Sequence, residues 1–135
     1  MGVLHGKRIF VVEDDISNMA IFSVILRQSG ALVIQDHWNS GTLTMLARHL
    51  PVDIILMDLM LRFGVSGYEI FDQLRELPEF ASIPVLAVSA SDPEVEMPRL
   101  RAKGFAGFVS KPISFQEFPL QVAAAIEGEK VWSLV

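Results

Sequence analysis

The sequence contains no cysteine. That absence excludes disulfides, thiolate nucleophiles and sulfur-ligated metals. Basic residues are in the minority, 11 Lys and Arg against 16 Asp and Glu, and the net charge is −5. Such a balance argues against direct electrostatic binding to nucleic acid or to an anionic membrane surface. Long apolar runs are missing too. Although 51% of residues are apolar and the mean hydropathy is +0.42, no stretch approaches the ~20 residues that a membrane-spanning helix needs. The opening MGVLHGKR lacks the apolar core of a signal peptide, so the chain is expected in the cytoplasm. Neither an internal repeat nor a low-complexity linker interrupts the 135 residues, which fit one domain with its own core.

What is present is a regular alternation punctuated by Gly and Pro. RIFVV (8–12) is a β-rich run, followed by a polar cluster and a helical pattern that reaches Gly30, a natural C-terminal cap. ALVI (31–34) reads as a second strand, and SGTLTMLARHL (40–50) as a second helix stopped by Pro51. VDIILMD (52–58) is a third strand and YEIFDQLREL (68–77) a third helix. IPVLAVS (83–89) and FAGFVS (105–110) supply strands four and five, with a last helix between Ser114 and Glu127. Strands alternating with helices of this length define βαβ units and a parallel sheet. Strands three and four are apolar at consecutive positions, as strands covered on both faces must be. The expected fold is a five-stranded, doubly wound α/β domain with five flanking helices.

IILMDLML (54–61) sets an acid, Asp58, inside an apolar run, where an uncompensated carboxylate is costly. The first polar residues after the other strands explain it. Strand one ends in Glu13, Asp14 and Asp15, strand four in Ser89, and strand five in Ser110 and Lys111. In a doubly wound sheet all strand carboxyl ends share one edge, where ligands bind. Acids from two strands, a hydroxyl and an ammonium therefore converge. An all-oxygen acid cluster suits a hard cation such as Mg²⁺, while the lysine and hydroxyl suit a phosphoryl group. A carboxylate nucleophile that forms an aspartyl-phosphate needs this set, and Asp58 is the best-placed nucleophile.

VVEDD (11–15), ILMDLML (55–61), VLAVSAS (85–91) and GFVSKP (107–112), in this order and at these spacings, resemble the receiver domain of two-component response regulators. The resemblance runs from Arg8 to about Glu127, making residues 1–127 the domain and 128–135 a C-terminal tail with no output domain expected. It implies the flavodoxin-like strand order 2-1-3-4-5, which the general description of such folds already gives for this family. It further implies Asp58 as phosphoacceptor, Lys111 as the family's lysine, Ser89 as switch hydroxyl and Phe108 as switch aromatic. Mg²⁺ or Mn²⁺ would be held by Glu13, Asp14, Asp58 and the backbone carbonyl of Met60, with Asp14 and Asp15 as the alternative acidic pair. The implied donors are a sensor histidine kinase or a histidine phosphotransferase, and the output is binding to another protein. In that scheme Ser89 moves onto the phosphoryl group and Phe108 turns inward.

Competing readings attach to the same residues. Asp15 also suits an N-cap, and Asp53 a structural role at the opposite sheet edge. His5, His37 and His49 read as surface residues, and Met45, Met57, Met60 and Met97 as core fillers. Pro93 and Pro98 predict a fourth helix that is short, late or broken, and Pro119 an irregular start to the fifth despite the capping-box spacing of Ser114 and Glu117. The loop after Asp58 looks one residue longer than the family pattern. Val131, Trp132, Leu134 and Val135 make the tail apolar, and docking on its own domain is the simplest fate for it. Other classes are a receiver-like module that works without phosphorylation, a flavin-binding relative of the fold, and a phosphatase of the haloacid dehalogenase type. The last carries a second aspartate where this chain has Met60.

Overall fold

The computed structural model describes residues 2–37, 41–61 and 64–133. The expected helix start at Ser40, Arg62 and Phe63 of the loop after Asp58, and Leu134 and Val135 of the tail lie outside the described residues. Eleven elements follow one another: β1 (Arg8–Val12), α1 (Ile16–Gln28), β2 (Leu32–Asp36), α2 (Thr42–Arg48), β3 (Ile54–Met57), α3 (Gly67–Glu76), β4 (Val85–Ser89), α4 (Pro93–Lys103), β5 (Gly107–Ser110), α5 (Phe118–Ile126) and β6 (Val131–Ser133). All strands are parallel, in the order β2-β1-β3-β4-β5-β6. The sheet thus has the expected order plus a sixth strand that the sequence pattern did not reveal. None of the described helices is long and apolar enough to cross a membrane.

Strand alternation divides the core in two. Ile9 and Val11 of β1, Ile54 and Leu56 of β3, and Leu86 and Val88 of β4 face a cluster closed by Met19, Phe22 and Leu26 of α1 and by Phe118 and Val122 of α5. Their neighbours Phe10, Val12, Ile55, Met57, Val85 and Ala87 face the other cluster, closed by Leu46 of α2, Phe71 and Leu74 of α3 and Leu100 of α4. Both faces of β3 and β4 are covered, which is why their sequences are continuously apolar.

Some local expectations change and others hold. α4 runs unbroken through Pro98, with Asp92 as N-cap accepting from Glu94 N at 3.0 Å and Pro93 at its start, where a missing N–H costs nothing. Turn residues precede α5, and Ser114 Oγ accepts from Glu117 N at 3.2 Å before the helix opens at Phe118. Met60 is not a core filler: it is 70% exposed. Of the histidines only His5 is exposed; His37 is half-buried beside Gln35, and His49 is half-buried with its Nδ1 2.8 Å from Met45 O. Asp53 lies at the amino edge of the sheet, where Oδ2 accepts from Arg8 N at 2.7 Å.

α4 is tied to α3 by a polar joint in an apolar setting. The Tyr68 hydroxyl donates to buried Glu96 at 2.9 Å, and the Arg99 guanidinium lies 4.1 Å from the Tyr68 ring centroid. Burial pushes the Tyr68 phenol up, and the bond to Glu96 and its negative charge push it further, with Arg99 opposing. The phenol therefore ionises above the usual tyrosine range. Tyr68 is the sole tyrosine, so an alkaline titration at tyrosinate absorbance reads it alone. No ordinary transition near pH ~10 is expected while the chain is folded. Because the folded state keeps a proton that the unfolded state loses, stability falls as pH rises beyond that range. Glu96→Gln should move the transition back toward the ordinary value.

Candidate functional site

The alternation that divides the core also aims the polar residues beyond it. Glu13 is two residues past Val11, Asp58 two past Leu56 and Lys111 two past Val109, so all three continue the parity of the α1/α5 face. Lys111 Nζ lies 5.9 Å from the ring centroid of Phe22 on α1. It donates to Glu13 Oε1 at 2.6 Å and to Asp58 Oδ2 at 3.1 Å. Both acids are buried, Glu13 at 1% exposure and Asp58 at 7%. Asp58 is the first residue beyond β3, which closes at Met57, and its N–H still bonds the Val12 carbonyl at 3.1 Å.

Among the described residues one ammonium faces two buried carboxylates. Burial pushes Glu13 above the ordinary carboxyl range, its bond to Lys111 opposes that, and the charge of Asp58 adds to it. For Lys111, burial favours the neutral amine. The bond to Glu13 and the charge of Asp58 outweigh it, so the ammonium is held above the usual lysine range.

Asp14 completes the cluster: Glu13, Asp14 and Asp58 each offer a carboxylate oxygen, and these lie within 4.8 Å of one another. Three oxygen donors with no imidazole or sulfur fit a hard divalent ion, which takes its remaining ligands from water and substrate. Asp15 stands outside this group. Its carboxylate caps α1, accepting from Asn18 N at 2.8 Å, while its own N–H donates to Glu13 Oε2 at 3.1 Å. Met60 N donates to Asp58 Oδ1 at 3.2 Å, which orients the carboxylate from the loop side.

Two contributors were not foreseen from sequence. Gly67, the first residue of α3, packs so closely that a Cβ there would sit 2.3 Å from the Asp58 carbonyl oxygen. Only glycine lets the helix press on the backbone of the acid, and no local pattern announces it. Asp36 ends β2 at the same sheet edge, buried, accepting from Thr42 Oγ1 at 2.5 Å, and its carbonyl accepts from Glu13 N at 3.2 Å. Its signal was available: an acid closing a strand and a threonine opening the next helix.

Ser89 and Phe108 lie across the sheet from the charged trio. Ser89 is 1% exposed, and its Oγ lies 3.0 Å from Ser91 Oγ while accepting from Ser91 N at 3.3 Å. Ser89 pairs in register with Ser110, and Lys111 N donates to the Ser89 carbonyl at 3.0 Å. Phe108 is fully buried in the α3/α4 cluster, already turned into the core. The Lys111–Pro112 peptide is cis.

A doubly wound parallel sheet whose carboxyl edge gathers buried acids and one lysine defines a class of receiver-like α/β domains, and comparison with known proteins is specific. The response regulator receiver domain model matches residues 9–123. This chain belongs to that family. It is 36% identical over 112 residues to the polar-differentiation response regulator DivK of Brucella ovis, covering 83% of this chain and 89% of that protein. In fold it resembles a sensor protein from Polaromonas sp. JS666, with TM-score 0.82 at 23% identity over 91% of this chain and 98% of the other. It also resembles the chemotaxis protein CheY4 of Vibrio cholerae, with TM-score 0.80 at 18% identity over 88% and 98% of the two chains.

The trio makes a direct prediction. Removing one partner of a buried ion pair leaves an uncompensated charge, so Lys111→Met should lose about 3 kcal/mol in urea unfolding near neutral pH. Mg²⁺ should stabilise wild type by binding the folded state alone, and it should stabilise Lys111→Met more, since the metal then takes over the charge that Lys111 offsets for Glu13 and Asp58.

Proposed function

We propose that the chain is the phosphoryl-accepting switch of a two-component system or phosphorelay, with Asp58 as acceptor. The observation that carries this reading is the placement of Lys111 between Glu13 and Asp58, at 2.6 and 3.1 Å, beside the third acid Asp14. An Asp58 carboxylate oxygen attacks the phosphorus of a phosphohistidine. The new O–P bond forms as the P–N bond breaks, and the histidine nitrogen leaves to take up a proton. Lys111 then moves from carboxylate to phosphoryl oxygen, keeping the charge of the modified side chain neutralised. Ser89 exchanges its Ser91 partner for a phosphoryl oxygen.

Glu13, Asp14, Asp58 and the Met60 carbonyl are the residues that would hold Mg²⁺ or Mn²⁺, which offsets the roughly −1.5 to −2 charge of a phosphoryl group in a pocket already lined with acids. The donor is a sensor histidine kinase or a histidine phosphotransferase. Support for docking beside the acceptor comes from an apolar recess formed by Ile21, Phe22, Pro112, Ile113 and Phe115 around Lys111; Phe115 is 68% exposed. The output is affinity for another protein, a population shift driven by charge at Asp58. The chain is an acceptor with slow self-dephosphorylation, acting in the cytoplasm.

Incubation with acetyl phosphate and Mg²⁺, followed by intact mass, tests the reading. One added phosphoryl group is expected, absent in Asp58→Ala and absent when the metal is chelated. Full labelling of Asp58→Ala would refute Asp58 as acceptor. No adduct in wild type, together with no binding of a beryllofluoride mimic, would instead favour a module that works without phosphorylation.

A further inference from the structure

The sheet ends on a strand absent from the five-strand pattern. α5 stops at Ile126, and Gly128, at φ +92, turns the backbone outward, with the N–H groups of Gly128 and Glu129 donating to Ala125 and Ala124 at 3.2 and 3.0 Å. After the exposed stretch 127–130 the chain lies parallel to β5. Val131 N donates to the Ala106 carbonyl at 2.9 Å, and Gly107, Phe108 and Val109 stand in register with Val131, Trp132 and Ser133.

The seat is shaped for such a segment. Val131 packs on the α1/α5 cluster and Trp132 on the opposite one, which contains Phe108. The Arg101 guanidinium of α4 lies 4.6 Å from the Trp132 ring centroid, a favourable cation–π placement. Gly107 makes the approach possible. A Cβ there would stand 1.7 Å from the Val131 carbonyl oxygen, and its three nearest neighbours would all be atoms of Val131. Yet β6 has only three residues, and Val131 and Trp132 are only half-buried. Short, half-exposed edge pairings open at far lower cost than a core. With β6 away, β5 presents unpaired N–H and C=O groups between α4 and α5, and such an edge takes up extended segments.

We infer that the outer edge of β5 is a strand-docking site, fitted by Gly107 to an extended segment with an aliphatic residue followed by an aromatic one, and that residues 131–133 fill it in cis. The tail competes with any partner segment of that pattern. This holds whatever the chemistry at Asp58, because it rests on the β5–β6 pairing alone.

A labelled peptide of residues 129–135, EKVWSLV, is titrated by fluorescence anisotropy against three full-length chains: wild type, Val131→Pro, and Val131→Pro with Gly107→Ala. Light scattering on the same samples gives the oligomeric state. Val131→Pro removes the N–H that bonds Ala106 and undocks the tail, while Gly107→Ala puts a Cβ in the path of any strand. Saturable binding is expected for Val131→Pro and none for the double variant. Wild type should bind about tenfold or more weakly, in proportion to its open fraction. Three binding results overturn the inference: no binding by folded Val131→Pro, equal binding by wild type, or binding that survives Gly107→Ala. A wild-type dimer that Val131→Pro converts to monomer also overturns it, since the tail would then sit on a second copy. Should Val131→Pro fail to fold by circular dichroism, Trp132→Ser replaces it with the same outcomes, keeping every backbone donor and removing only the ring beside Arg101.

Discussion

Everything at the carboxyl edge of the sheet depends on one partly buried ammonium. Glu13 and Asp58 come from different strands, and their mutual repulsion in a poorly solvated pocket is offset by Lys111, which bonds both. Asp14 adds a third carboxylate to the group. The gathering of three carboxylate oxygens makes the pocket receptive to a hard cation. It also makes the register of β5 critical. A slip by one residue would turn Lys111 to the opposite face and strand the two acids, so the hydrogen-bonded pairing of β4 with β5 from Leu86–Gly107 to Ser89–Ser110 fixes the electrostatics as well as the sheet.

β5 is accordingly the busiest element in the molecule, although it has only four residues. Its far end delivers Lys111 to the acids. Its middle buries Phe108 among the side chains of α3 and α4, and its free flank carries β6. Phe108 already lies inward while Ser89 is engaged with Ser91. The swing of the aromatic that the family resemblance implies is thus not a prerequisite for its burial in this chain.

Much of this was legible in the sequence, and the exceptions share a cause. The parallel α/β architecture and the convergence of Glu13, Asp14, Asp58 and Lys111 follow from the alternation of strands with helices and from where each apolar run stops, both of which are local patterns. The strand order came from the family resemblance, and Ser89, which the same reading placed with these four, bonds Ser91 instead. Gly67 and Gly107 stayed silent because a glycine's purpose here is set by the backbone that lies against it, Asp58 in one case and Val131 in the other. Three-residue β6 offers no periodicity to read. Met60 looked like core because its side chain is apolar, but it stands in the loop beyond β3 and the chain's direction there overrides its hydropathy. Pro98 looked like a helix breaker; α4 nonetheless continues through it, anchored on both sides of the proline by Glu96 against Tyr68 and by buried Leu100.

That proline leaves α4 with a missing rung. Residue 98 has no N–H to give to the carbonyl four positions back, so the two halves of the helix are joined by one hydrogen bond fewer than an uninterrupted helix has. The first half is secured by the Asp92 cap and by Glu96 on Tyr68. The second is secured by Leu100 in the core, Arg101 on Trp132 and Lys103 on Asp72 at 2.8 Å. The two halves of α4 are therefore held to the domain chiefly by separate anchors, and the amino-terminal turn, which follows the Ser89–Ser91 pair, is expected to open more readily than it would in a helix with every rung in place.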